Sequence, residues 1–138
     1  MFRTRTFAVG AAVVGIVIGL AANPADATGR HIVAKPSTLK VNATTTLTGT
    51  GFPANTRLPI AECSKTSWAT GQFPCNSSTQ FLVVTDSHGH FVHKLKVTLC
   101  GGKRGPTANS QICFVGQPRP TNAKTVGLLG AVKVTVTH

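Results

Sequence analysis

The sequence predicts an all-β domain, a two-layer antiparallel sandwich of seven short strands. Three observations predict it. No segment after residue 27 carries a sustained 3.6-residue apolar repeat, so no amphipathic helix is expected there. Short runs rich in Thr and Val recur along the chain, the composition that strands favour. Segments bearing Gly, Pro, Asn and Asp separate those runs, as turns require.

The elements follow in order. Ile32 to Lys35 is a first strand, ended by Pro36-Ser37. Thr44 to Thr50 (TTTLTGT) is a second, and Gly51-Phe52-Pro53-Ala54-Asn55 turns the chain. Arg57 to Cys63 is a third, with Leu58, Ile60 and Glu62 on one face and Pro59, Ala61 and Cys63 on the other. Pro59 removes a ladder donor, so this strand is expected to be bulged or at an edge there. Gln80 to Thr85 is a fourth. Asp86-Ser87-His88-Gly89 reads as a hairpin turn, with Gly89 free to take positive φ. Phe91 to Leu99 is a fifth, with Phe91, His93, Leu95, Val97 and Leu99 inward and Val92, Lys94, Lys96 and Thr98 outward. Ile112 to Val115 and Ala131 to Thr137 complete the set. Seven short strands in a chain of this length form the immunoglobulin-like pattern, without the intersheet Cys–Trp–Cys layout of antibody domains.

The N-terminus sets the compartment. Arg3 and Arg5 precede sixteen uncharged residues, Phe7 to Ala22. That run is short for a membrane span, which needs about 20 residues. Pro24 interrupts it, and Ala25-Asp26-Ala27 has the small-x-small form of a signal-peptidase site. Residues 1–27 are therefore expected to be a signal peptide, with an uncleaved anchor as the alternative. Residues 28–138 are expected to form one secreted domain without a transmembrane segment, with association to the cell envelope as a further option.

Export implies an oxidising compartment, where four cysteines read as two disulfides. Three pairings are open. Pairing neighbours, Cys63 with Cys75 and Cys100 with Cys113, closes two short loops. Neither gap matches the C-x(2–4)-C spacing of zinc sites or C-x-x-C redox spacing, so no metal is expected.

Charge is the other strong signal. Twelve of the fourteen Lys and Arg residues fall after residue 27, against two acids, Glu62 and Asp86. Such a surface attracts anions, among them nucleic acid and phosphate-bearing envelope polymers. Lys94, Lys96, Lys103 and Arg104 are the only patches and the candidate anion-facing residues.

Catalysis finds no support. The two carboxylates lie far apart in sequence, and Asp86 suits a turn. No Ser-His-acid set has a nucleophile context. The Gly-rich basic stretch Cys100 to Gly105 lacks P-loop spacing. His88-x-His90-x-x-His93 does not converge on a strand, because His93 points inward and His90 outward.

An ordered set of residues resembles a known family. Gly51-Phe52-x-Ala54-x-Thr56 is followed by Glu62-Cys63, Thr70-Gly71 and Cys75-Asn76. Val83, Asp86-x-x-Gly89, Leu95-x-Val97 and Cys113-x-Val115-Gly116 follow at matching spacing. The set, covering most of Ile32 to Val136, is similar to the neocarzinostatin-type apoproteins, secreted bacterial β-sandwich carriers of enediyne chromophores. The resemblance implies local disulfides, Cys63–Cys75 and Cys100–Cys113. It also implies an apolar cleft between one sheet and the disulfide-bearing loops. Pro59, Ala61 and Cys63 would form its floor. Trp68, Phe73, Cys75, Gln80, Phe114, Gly116 and Pro118 would line it. The chain departs from the family where a long aromatic hairpin normally precedes the third cysteine. It is also basic where the known carriers are acidic, and it has Gln80 at an aromatic position.

The expected function is therefore non-enzymatic: a secreted carrier or antibacterial defence protein, monomeric, needing no cofactor. It would hold a non-covalent apolar or aromatic chromophore, with DNA as downstream target by family analogy. The alternative is a basic module docking on anionic envelope polymer. Trp68 is expected either at the mouth of the cleft or folded onto the sandwich.

Overall fold

The computed structural model describes residues 29–107 and 109–138. The expected signal peptide and its cleavage point lie outside these residues. Among the described residues, nine strands form two sheets: β1 (His31–Lys35), β2 (Thr38–Lys40), β3 (Thr44–Thr50), β4 (Arg57–Cys63), β5 (Ser67–Ala69), β6 (Phe81–Val84), β7 (Phe91–Lys96), β8 (Ser110–Pro120) and β9 (Thr125–Thr137). No described helix is long and apolar enough to cross a membrane.

The smaller sheet has the order β1-β3-β7, all antiparallel. The larger runs β2-β9-β8-β4-β6, with β5 added alongside β9. After β1 the chain crosses between sheets at Pro36-Ser37, and β2 pairs in parallel with β9. The alternation read from sequence places the core between the sheets. Ile32, Ala34, Leu47, Phe91 and Leu95 face inward from the small sheet, and Leu58, Ile60, Cys113, Val115, Val134 and Val136 from the large one. Each fully buried aliphatic side chain contributes about 1.5–3 kcal/mol. The β6–β7 turn is built as expected: Gly89 takes φ 76°, and a Cβ there would meet the Phe52 carbonyl oxygen.

The larger sheet is an extended form of the expected one. β8 runs on to Pro120 and β9 begins at Thr125, so the two make one long hairpin instead of two short strands. Its prolines hid this. Beyond Gly116, β8 has only β9 beside it, because β4 pairs β8 through Ala61–Cys63 alone. Pro118 and Pro120 therefore sit on an open edge where no ladder donor is needed. The same rule holds at Pro59, where β4 pairs β6 on one side and has not yet met β8. A register shift between Val115 and Gln117 marks a bulge at Gly116, opposite Gly130 at φ 67°. A bulge bends and twists its strand.

Candidate functional site

β4 and β8 build the site from their outward faces. Ala61 pairs with Gly116, and Cys63 with Phe114. Paired residues share a face in an antiparallel ladder, so these four and Ile112 lie together, opposite the core-facing Glu62, Cys113 and Val115. Two stapled loops rise beside this face. The disulfides are Cys63–Cys75 and Cys100–Cys113, twelve and thirteen residues apart, as the resemblance implied.

The face is divided in two. At one end Trp68, only 6% exposed, packs with Ala61 and Cys63, joined by Cys75, Val126 and Leu128. β5 holds the indole there by pairing Trp68 with Val126, and the Leu128 amide donates to the Thr66 carbonyl (2.9 Å). A Cβ on Gly116 would lie 3.1 Å from Leu128 Cβ, so the room left by this glycine is already filled. At the other end a cleft of about 380 Å³ stays open, lined by Ser64, Lys65, Thr66, Ser67, Lys103, Ile112 and Phe114. Its floor is apolar and its rim carries hydroxyls and two ammonium groups.

The sequence-derived residues divide accordingly. Phe114 lines the cleft. Ala61, Cys63 and Gly116 form floor beneath the Trp68 cluster, and of the two expectations for Trp68 the folded-down ring is the observed one. Cys75 flanks that cluster. Pro118 lies in the hairpin opposite Leu128, and Pro59 lies opposite Leu82 of β6, away from the opening. Phe73 is 52% exposed and is not among the cleft-lining residues. Gln80 belongs to a separate groove of about 400 Å³ with Phe81, His93, Lys94 and Lys96. Nor do the four anion-facing residues make one surface. Lys94 and Lys96 stand on the outer face of the small sheet, opposite Thr46 and Thr44. Lys103 borders the cleft, while Arg104 bridges to Gln111. The sequence reading missed Ile112 and the Ser64–Ser67 rim. The signal was the Ile112-x-Phe114 alternation around inward Cys113.

The histidines also separate. His93 stacks on Phe81 (centroids 4.0 Å apart), while His88 and His90 lie in and just after the β6–β7 turn. Among the described residues no cluster of three or more His, Cys, Asp or Glu side chains could hold a metal.

Glu62 lies behind the floor, fully buried. Thr98 donates its hydroxyl to Glu62 Oε1 (2.9 Å) and its amide to Oε2 (3.4 Å), and Asn76 Nδ2 donates to the Thr98 hydroxyl (2.6 Å). Burial raises the Glu62 pKa above the ordinary carboxylate value, against the lowering effect of Thr98. The folded state thus holds this proton more tightly than the unfolded chain. The resulting stabilisation is complete below the unfolded pKa and is lost as pH rises through the folded one. Asp86 has the opposite sign: the amides of His90 and His88 lower its pKa, so its contribution is lost as pH falls. Desolvation lowers the His93 pKa, and its contribution likewise falls away in acid. Glu62→Gln can keep both contacts, donating to the Thr98 hydroxyl and accepting from its amide. It is expected to stabilise the fold at pH 7 by about 1 kcal/mol, the scale of one buried hydrogen-bonding change. Denaturant titrations from pH 4 to 8 (about the carboxylate-to-neutral range) check this. The gain over the natural chain should shrink as pH falls, and a pH-independent difference would refute the assignment.

The solved structure of macromomycin is similar at 19% identity with a TM-score of 0.47, covering 72% of this chain and 96% of that one. No curated protein matches the sequence. The sequence profile described as the neocarzinostatin family matches residues 32–113, more than half of the chain. With that match, its all-β sandwich and its two local disulfides, the chain belongs to the neocarzinostatin family.

Proposed function

We propose that the protein is an extracellular, non-catalytic binder that carries a small apolar molecule in the cleft between its two disulfide-stapled loops. The observation that carries this reading is the half-open outer face of β4 and β8. Ile112 and Phe114 are left as an apolar floor between two covalently closed rims. Concave apolar sites with a few polar groups at the edge are the usual form of small-molecule pockets. The placement of the two acidic side chains among the described residues fits a non-catalytic reading, since Glu62 faces the core and Asp86 is held in a turn. The family and the two disulfides support an extracellular setting, and a DNA target for a released cargo rests on family analogy alone. Docking on envelope polymer is the weaker reading, because Lys94 and Lys96 stand on the sheet opposite Lys103.

Native mass spectrometry of protein purified from its culture medium tests the carrier reading. The expected result is a non-covalent adduct of several hundred daltons that leaves on mild organic extraction. Emission from Trp68, the only tryptophan, should change as it leaves. A bare chain after gentle purification, with affinity for anionic polymer that collapses in salt, would favour envelope docking instead.

A further inference from the structure

The cleft is rimmed by cations that no acidic side chain among the described residues faces. Lys65 and Lys103 line it. Lys133 stands opposite Phe114 in the β8–β9 ladder, on the same outer face. All three are exposed. The described residues contain two acidic side chains, Glu62 and Asp86. Glu62 is sealed on the core side of β4 against Thr98. Asp86 accepts the amides of His88 and His90 in the β6–β7 turn, just past Val84, which pairs with Arg57 at the start of β4, whereas β8 joins β4 at its other end, Ala61–Cys63. Neither acid faces the cleft. The floor between the cations is the apolar pair Ile112 and Phe114.

Resting on the cleft reading above, we propose that the ligand is an amphipathic organic anion. Its flat aromatic or hydrocarbon body covers Ile112 and Phe114, and its carboxylate, sulfonate or phosphate meets Lys65 and Lys103. The cleft, at about 380 Å³, lies near the small end of the usual range of roughly 300–1,000 Å³ for ligand pockets. The Trp68 cluster fills the rest of the face, so the body is limited to about two or three rings. An anion at the rim gains charge-assisted hydrogen bonds that a neutral ligand of the same shape lacks. That difference is worth about tenfold in affinity.

Two fluorescent probes with one ring skeleton separate the possibilities. 8-Anilinonaphthalene-1-sulfonate carries the anion, and N-phenyl-1-naphthylamine does not. The mature chain with its disulfides intact is titrated with each at low salt. The expected result is one site for both probes, with the sulfonate bound about tenfold tighter. Lys65→Gln with Lys103→Gln should remove most of that preference, by weakening the sulfonate several-fold more than the neutral probe. Lys94→Gln with Lys96→Gln, on the opposite sheet, should alter neither. Equal affinity for the two probes would overturn the anion preference and leave the cleft reading standing. An equal loss from the Lys94 and Lys96 pair would also overturn it, by showing attraction to net charge alone. Failure of both probes to bind a chain that circular dichroism shows to be folded would sink the cleft reading itself.

Discussion

Trp68→Ala is expected to lose about 3–4 kcal/mol of stability, the usual cost of truncating a buried aromatic ring. The ring covers Ala61 and Cys63 and packs against Val126 and Leu128. None of these can follow it inward. Ala61 and Cys63 belong to a central strand, and Leu128 is held by its amide bond to Thr66. The site therefore collapses little, which puts the loss toward the high end. The vacated volume adjoins the open cleft, because Ser67 lines one and Trp68 follows it in β5. The variant should thus accept a larger ring system than the natural chain. Since it contains neither Trp nor Tyr, unfolding is followed by far-ultraviolet circular dichroism. Trp68→Phe serves as the control, retaining a ring and losing about half as much. A loss below about 1 kcal/mol for the alanine variant would mean the indole is not the plug that its burial indicates.

The sandwich was readable because its signals are local. Alternation along Arg57–Cys63 and Phe91–Lys96 assigns each side chain to a face. Those faces are the ones observed, with His93 half-buried against Phe81 at the sheet edge. The cleft was less readable because it depends on how distant segments meet. Small residues at Ala61 and Gly116 read as space for a ligand. What occupies that space is Trp68 from the first cysteine loop and Leu128 from the end of a hairpin that prolines concealed. Nothing in the spacing of Trp68 from Cys63 tells whether the indole points outward or lies down. That is decided by three residues of β5 finding β9 nearly sixty positions later. The four basic residues fall on more than one surface for a related reason. Lys94 and Lys103 are close in sequence, but β7 and the second cysteine loop belong to opposite sides of the sandwich.

Removing either disulfide should cost about 3 kcal/mol, and removing both should unfold the domain at physiological temperature. The closed loops span twelve and thirteen residues, so chain entropy assigns them nearly the same stabilisation. Any measured difference then reports packing. Cys63 lies within the Trp68 cluster and Cys113 within the main core, both fully buried. Alanine is the proper replacement at these positions, since serine would bury a hydroxyl. Cys63→Ala with Cys75→Ala releases the loop that carries Ser64 to Ala69. The amides of β5 should then exchange with solvent much faster than those of β3 or β9. Probe binding should weaken beyond what the stability loss explains. Cys100→Ala with Cys113→Ala frees Lys103 instead, so its effect should fall on the anionic probe and spare the neutral one. Domains of this size are stabilised by only about 5–15 kcal/mol, and losing about 6 kcal/mol from both bridges consumes much or all of that. The fourfold alanine chain is therefore expected to lack a cooperative thermal transition. A fourfold variant that melts cooperatively within about 10 °C of the natural chain would show that the core holds the sandwich without its staples. The disulfides would then serve the rims of the cleft alone.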